Sequence, residues 1–454
     1  MTELERLLKA KIPGERTGIE IKHSLCAICS PGHHCGLDCY VKDGVILKVE
    51  GTPDHPYNRG KICSKGVNNR QYVYRADRIR TPLRRVGERG EGKFEPVSWE
   101  EAYKIIGEKL NAVKAQYGPQ AVAFFSGYCK WYRPLFHRFA YSFGSINYGT
   151  DDSTCNQASV VAGMVTSGAP AGPDTGRANT FLGWAFSGYY SSHLSIAGVR
   201  ALKERGGKVI IVDPRITPAV KNLADIHLQI NPGTDGALAL CWQHIIIEHD
   251  LVDWEFVKRW TDASLLVVED MEPTGGRYID LSSPVQVPPL EDLIGTKLKT
   301  RLLKESDLKE GGSPHKFYAW NKNANDGAGG LVYWDADATQ WEGCNHVAPT
   351  RDQMEVVYKG TSQEGYLPPL SYWELEEAGI DFDLKGTHEI ELADGTKHVA
   401  KPVWAYLEES VKECTTEWCQ EKTGLDPALV EEACLAWATR PEGQTYGNGG
   451  IHLN

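Results

Sequence analysis

Hydrophobic and polar positions alternate along this chain with two periods, and the switches between them outline its elements. From Cys39 to Val49 the residues alternate and turn at Asp43-Gly44, the pattern of a β-hairpin. Ser98-Trp-Glu-Glu101 predicts a helix start closed by a capping box. Ala102, Ile105, Ile106, Leu110 and Val113 then follow at helical spacing until Gly118-Pro119 stops them. A short buried strand is expected over 121–125. Residues 180–184 and 208–213 read as apolar strands, with a helix over 192–205 between them that Gly206-Gly207 ends. That is a βαβ unit and predicts a parallel sheet. Residues 271–400 are rich in Gly, Pro, Trp and polar side chains, and 386–399 reads as a hairpin turning at Asp394-Gly395. The expected fold class is α/β: a small β-rich domain over 1–80, parallel-sheet α/β domains over 81–270, an irregular inserted region over 271–400, and a return to the α/β domain over 401–454. No apolar run reaches the length of a membrane-spanning helix.

Composition narrows the class. With 41% hydrophobic and 24% charged residues the chain is neither disordered nor fibrous. Lys plus Arg total 49 against 60 Asp plus Glu, a net charge of −11, so nucleic acid is not an expected partner. The first residues do not form a secretory leader, and Arg84-Arg85 lies too deep for a twin-arginine signal. The expected localisation is cytoplasmic. In a reducing compartment clustered cysteines are expected as metal ligands or reactive thiols rather than disulfides.

Twelve cysteines are present, and Cys26, Cys29, Cys35, Cys39 and Cys63 crowd into one short window with spacing C-x2-C-x5-C-x3-C-x23-C. Two thiolates separated by two residues can converge on one centre, and a distant one can close it. Spacing alone allows a cubane iron–sulfur cluster, zinc, or neither. Cys39 sits in the predicted hairpin, where a cysteine serves as a small core residue. The preferred ligands are therefore Cys26, Cys29, Cys35 and Cys63. His33 and His34 are alternative ligands, although adjacent loop histidines are more often solvated.

Other residues carry a bland and a sharp reading. Lys65 is either a surface lysine or a cation beside a buried anionic centre. Asp213, ending the second strand of the βαβ unit, is either turn chemistry or an acceptor for ribose hydroxyls or a purine edge. The first turn, Gly183-Trp-Ala-Phe-Ser-Gly188, is not the ordinary dinucleotide fingerprint. Asn231-Pro-Gly-Thr-Asp235 precedes a helix. Thr234 or Asp235 either caps it or, with the helix N-terminus, meets the donor edge of a guanine.

Taken in order, several segments resemble one family. They are Cys26-x2-Cys29-x5-Cys35-Gly-Leu, Val41-Lys-Asp-Gly, Gly51-Thr-Pro-Asp-His-Pro, Asn58-Arg-Gly-Lys-Ile-Cys63-Ser-Lys-Gly, Arg80-Thr-Pro-Leu-Arg-Arg-Val-Gly, Val97-Ser-Trp-Glu-Glu-Ala, Val212-Asp-Pro-Arg215 and Pro232-Gly-Thr-Asp235-Gly-Ala-Leu. Together they are similar to the molybdopterin oxidoreductases of the dimethyl sulfoxide reductase superfamily. Weaker similarity resumes at Gly424-Leu-Asp-Pro-Ala-Leu-Val-Glu-Glu. The resemblance implies a 4Fe-4S cluster on Cys26, Cys29, Cys35 and Cys63, although the x5 gap departs from the commoner x3. It implies Lys65 between cluster and pterin. It also implies a Mo or W ion held by bis-molybdopterin guanine dinucleotide, with contacts from Gly183, Trp184, Asp213, Pro214, Arg215, Gly233, Thr234 and Asp235.

In this family the metal's protein ligand follows a segment like Phe143-Gly-Ser-Ile-Asn147. That position matches Cys155 within Asp151-Asp-Ser-Thr-Cys155, with Ser153 and Asp152 in reserve. A thiolate suits a sulfur-rich site. The implied chemistry is two-electron oxygen-atom or hydroxyl transfer on a small substrate, with Asp151, Asp152, His137 and His193 as acid–base candidates. Implied partners are an iron–sulfur electron-transfer subunit or ferredoxin. Family catalytic subunits are usually much longer, so a second polypeptide is expected to supply a C-terminal barrel domain unless the chain is a fragment. The nearest branches are acetylene hydratase and transhydroxylase, but the hydratase carries a carboxylate where this chain has Ser30. Two competing readings are a metal-free electron-transfer subunit on the same scaffold and a zinc-stabilised interaction protein.

Overall fold

The computed structural model describes the chain except residues 29–33, 128–131, 151–156, 169–174, 177, 192, 270–300, 348–354, 358–364, 368–371, 440–448 and 454. By compactness it divides into two units, Met1–Pro173 with Ser187–Arg200, and Asp174–Phe186 with Ala201–Asn454.

The first unit opens on a three-stranded antiparallel sheet of Glu20–Leu25, Gly36–Lys42 and Val45–Gly51. The hairpin forms where alternation places it. Asp43 (φ 49°) and Gly44 (φ 77°) both take the left-handed conformation that a two-residue turn of this hand requires. Leu37, Cys39 and Val49 fill the small core with Cys26. Cys39 pairs with Lys22 on one side and Val49 on the other, and burial raises its thiol pKa. It is a core residue, as the hairpin pattern predicts.

The helix Trp99–Tyr117 starts at Ser98, whose Oγ accepts from the Glu101 amide at 3.1 Å. Only half of the expected capping box forms, because the Glu101 carboxylate is taken by Arg84 at 2.8 Å. The strand expected over 121–125 is displaced. Pro119–Ala121 makes a single 3₁₀ turn, so the strand is Phe124–Ser126, parallel to Tyr148–Thr150. Phe124 meets Phe136, Phe139 and Phe143 edge-on at 5.5–5.8 Å.

The second unit holds a four-stranded parallel sheet in the order Ile226–Leu228, Lys208–Val212, Thr180–Trp184, Gly449–Leu453. Phe181, Leu182, Val209, Ile210 and Ile211 are at most 1% exposed. Such side chains contribute about 1.5–3 kcal/mol each by leaving water, which is why a continuous apolar run forms an interior strand. The helices Asp235–Glu248, Thr416–Thr423 and Pro427–Ala438 share the core through Leu238, Cys241, Trp242, Cys419, Val430 and Cys434. Strand order reverses at Thr180–Trp184. The chain steps outward on one side through Lys208–Val212 and Ile226–Leu228, then returns on the other through Gly449–Leu453.

The described part of 271–400 is more regular than its composition implies. Arg301–Leu302, Leu266–Val268, Lys397–Pro402 and His388–Glu391 form an antiparallel sheet in that order, with the expected turn at Asp394-Gly395 (Gly395 φ 80°). Lys316–Asn321, Gly330–Asp335 and Gln340–Trp341 form another. Trp341, Trp373 and Trp404 supply much of the core there, so residues that read as surface in a polar sequence carry the packing instead.

Candidate cluster and dinucleotide sites

The candidate cluster site lies at one end of the N-terminal sheet. Register pairs Leu25 with Gly36, and the Cys26 amide donates to the Cys35 carbonyl at 2.9 Å, which brings two of the proposed ligands together. Cys63 arrives from a separate segment, and Asn58 fixes that approach. Its side chain is 1% exposed. Oδ1 accepts from the Gly36 amide at 2.7 Å, and Nδ2 donates to the carbonyls of Gly36 at 3.1 Å and Lys61 at 2.8 Å. A methyl group at Gly51 would stand 2.5 Å from the Gly60 carbonyl oxygen, so glycine is what lets the 60–63 segment lie against the sheet. Cys63 then precedes the short helix Ser64–Val67, where Gly66 leaves room beside the Cys26 Sγ.

Lys65 is half-buried and forms no ion pair among the described residues. A half-buried ammonium two residues after Cys63, with no counter-charge among the described residues, suits an anionic group. In kind, the thiols of Cys26, Cys35 and Cys63 and the Lys65 cation suit the donor set and charge of an iron–sulfur cluster. Among the described residues no three His, Cys, Asp or Glu side chains converge on a single ion, and Cys29 lies outside those residues.

The candidate dinucleotide site lies at the carboxyl ends of the parallel strands. Asp213 is 3% exposed, and its Oδ1 accepts from the Arg215 amide at 2.8 Å, so this carboxylate shapes the Pro214-Arg215 turn. His227 Nε2 bonds the Asp213 carbonyl, and Gln229 Nε2 donates to that of Pro214. The Arg215 guanidinium remains mostly in solvent, 3.8 Å from the Asp213 carboxylate. Gly233 (φ 83°) is open on the side where a side chain would stand. The expected cap at Thr234 does not form. Its hydroxyl turns back to the Asn231 carbonyl at 2.7 Å, and the helix Asp235–Glu248 begins without a side-chain cap. Uncapped first-turn N–H groups are a ready anion site. Across the strand ends, Trp184 Nε1 donates to Asp235 Oδ1 at 2.7 Å, joining two of the predicted contact residues. Gly183 has a packing role: a methyl group there would stand 2.8 Å from the Phe186 Cβ. Strand order reverses at Thr180–Trp184, the position where open parallel sheets bind ligands.

Of the acid–base candidates, His193 and His137 are among the described residues. His193 is half-buried at the start of His193–Glu204, and His137 lies against the Tyr148 ring with centroids 3.8 Å apart. Asp151, Asp152, Ser153 and Cys155 fall outside the described residues, as do Ser30 and His33. The residue that sequence reasoning missed is Asn58. It lies within a motif segment, but nothing in a polar loop sequence marks one asparagine as buried.

Comparison with known proteins gives the family. The molybdopterin oxidoreductase Fe4S4 domain matches residues 19–75, and the molybdopterin oxidoreductase domain matches residues 78–254. The chain belongs to the molybdopterin oxidoreductases. Among curated relatives, it is 32% identical to dopamine dehydroxylase of Eggerthella lenta over 92% of this chain and 42% of that protein. It is 27% identical to the alpha subunit of perchlorate reductase of Dechloromonas aromatica over 92% of this chain and 41% of that protein. It is 33% identical to the molybdopterin-containing subunit of the thiosulfate reductase of Salmonella typhimurium over 56% of this chain and 33% of that protein. The fold is similar to that of acetylene hydratase from Pelobacter acetylenicus (TM-score 0.54, 21% identity, 95% of this chain and 40% of the other). The chain thus spans about two fifths of the length of the relatives it matches end to end. Among the described residues no helix is long and apolar enough to cross a membrane.

Proposed function

We propose that this chain is the cluster- and pterin-binding part of an oxidoreductase that removes oxygen or hydroxyl from a small substrate in a two-electron reduction. The observation that carries the reading is that one chain holds both kinds of site. One has three cysteines at a sheet end and Lys65, which has no ion pair among the described residues. The other is an uncapped helix start beside Asp213 and Trp184 at the point of strand reversal. When bound, a pterin-held Mo or W ion would supply the two-electron step and an iron–sulfur cluster would take electrons singly.

The chain's own residues bind and orient. Cys26, Cys29, Cys35 and Cys63 anchor the cluster. Gly233, Thr234 and Asp235 meet the guanine dinucleotide, with Asp213, Pro214 and Arg215 beside them. Cys155 ligates the metal. The reductive direction follows the two relatives aligned over 92% of the chain, whose names describe a dehydroxylase and a perchlorate reductase. An iron–sulfur subunit or ferredoxin is the proposed electron partner, and a cytoplasmic location goes with it. A hydratase and a metal-free electron-transfer subunit are the competing outcomes. Metal analysis of native protein separates them. Mo or W with about four Fe per chain is expected. Fe alone, or Zn, overturns the reading, and turnover without net electron transfer would mark a hydratase.

A further inference from the structure

Beyond residue 254, where the family match ends, the second unit holds a half-open cavity of about 550 Å³ that is separate from the residues proposed for the cluster and the dinucleotide. That volume lies in the range of small-molecule sites. Its wall is strongly aromatic. Trp260, Trp334, Trp341, Trp373 and His346 all line it. The rings brace one another: Trp334 is edge-on to Trp341 at 5.7 Å and to Trp373 at 5.3 Å, and His346 lies 4.5 Å from Trp373. Trp341 and Trp373 are only 4% and 8% exposed, whereas Trp260 is 37% exposed.

The charges of the wall select among ligands. Arg259, the one guanidinium or ammonium among the described lining residues, is already committed. It donates to Glu255, to both carboxylate oxygens of Glu376 and to the Trp373 carbonyl. Two carboxylates answer one guanidinium, and Asp262 adds an exposed carboxylate at the mouth. The described lining therefore offers an anion no available fixed cation and presents an excess of negative charge. A neutral polyhydroxylated ring would find few hydrogen-bonding groups beyond Asp262, Gln340 and Thr339. Electron-rich indoles beside a carboxylate that has no ion pair among the described residues are surroundings in which an organic ammonium ion is stabilised.

We propose that this cavity binds an organic cation, an ammonium group carried on an apolar or aromatic body, with Asp262 facing the charge and the tryptophans enclosing the body. The site is independent of the cluster and pterin sites, so its failure leaves the proposed function standing. The test is direct binding to the purified full chain, followed by tryptophan fluorescence and calorimetry, with probes of one shape and three charges: benzyltrimethylammonium, benzyl alcohol and benzoate. The cation is expected to bind at least about 10-fold tighter than the alcohol, a difference of about 1.4 kcal/mol, with benzoate weakest. Asp262→Asn should reduce the cation to the level of the alcohol, and Trp260→Ala should weaken both. Both positions are solvent-exposed, so these variants should fold, which circular dichroism checks. Equal binding of all three probes, tighter binding of glucose than of the cation, no binding at all, or cation binding unchanged in both variants would each overturn the proposal.

Discussion

Removing the Asn58 side chain should release the cluster while leaving the rest of the chain folded. The Asn58→Ala change deletes three hydrogen bonds from a position 1% exposed. The Gly36 carbonyl keeps a donor, the Thr52 amide at 3.0 Å, and Lys61 lies at the surface, where water can replace the lost partner. The buried Gly36 amide has no such substitute. An orphaned buried donor costs about 1–3 kcal/mol, and two further lost bonds cost about 1 kcal/mol each, for a total of about 3–5 kcal/mol. At 1.4 kcal/mol per factor of ten, the 58–63 segment should detach from the sheet more than about 100-fold more often. Iron per chain should fall well below the native value. Amide hydrogen exchange should rise at Gly36 and Gly60, which donate to Asn58 and Thr52, with little change in the Thr180–Trp184 strand. Asn58→Asp should fail as well, since it keeps the acceptor for Gly36 but sets a carboxylate against two carbonyl oxygens. Native iron content and unchanged exchange at Gly36 in Asn58→Ala would refute the reasoning.

Three further outcomes follow from the same structure. Cys39→Ala should retain the iron that Cys63→Ala loses, at a stability cost of about 1 kcal/mol for a small buried cavity; iron analysis beside urea unfolding decides this. Gly51→Ala should destabilise the N-terminal unit by about 1–3 kcal/mol and lower iron content, because its methyl group meets the Gly60 carbonyl; thermal unfolding of the iron-loaded chain checks it. The Tyr406 hydroxyl, donating to Glu269 at 2.6 Å with Lys401 nearby, holds that carboxyl below its ordinary value of 4.5. A depressed carboxylate stabilises the fold above the unfolded pKa and loses that contribution as pH falls through the folded one. Tyr406→Phe should therefore cost up to about 1 kcal/mol above pH 4.5, discounted for partial exposure, and nothing in stronger acid, as read from unfolding midpoints across pH.

How much of this was legible depended on whether a residue's role is written in its neighbours. The Asp43-Gly44 turn was readable because two successive left-handed positions demand such residues. The Lys208–Val212 strand was readable because a run of apolar side chains has nowhere else to go. Asn58 was not, because burial of a single amide is decided by backbone that arrives from Gly36 and Gly51. The half-formed capping box failed for a similar reason: Arg84, distant in sequence, outcompeted the local partner of Glu101. Trp341 and Trp373 hid within a polar stretch whose packing comes from ring-on-ring contacts without sequence period. Cys155, on which the metal assignment turns, rests on the resemblance alone.

The neighbour of Thr180–Trp184 in the parallel sheet, Gly449–Leu453, lies almost 270 residues further along the chain. A ribosome adding roughly 5–20 residues per second needs about 13–54 seconds to make that stretch. Throughout that interval one flank of an apolar strand stays unpaired, a template for mispairing with other nascent chains. The crevice beside that strand acquires its second wall only once the returning segment has emerged.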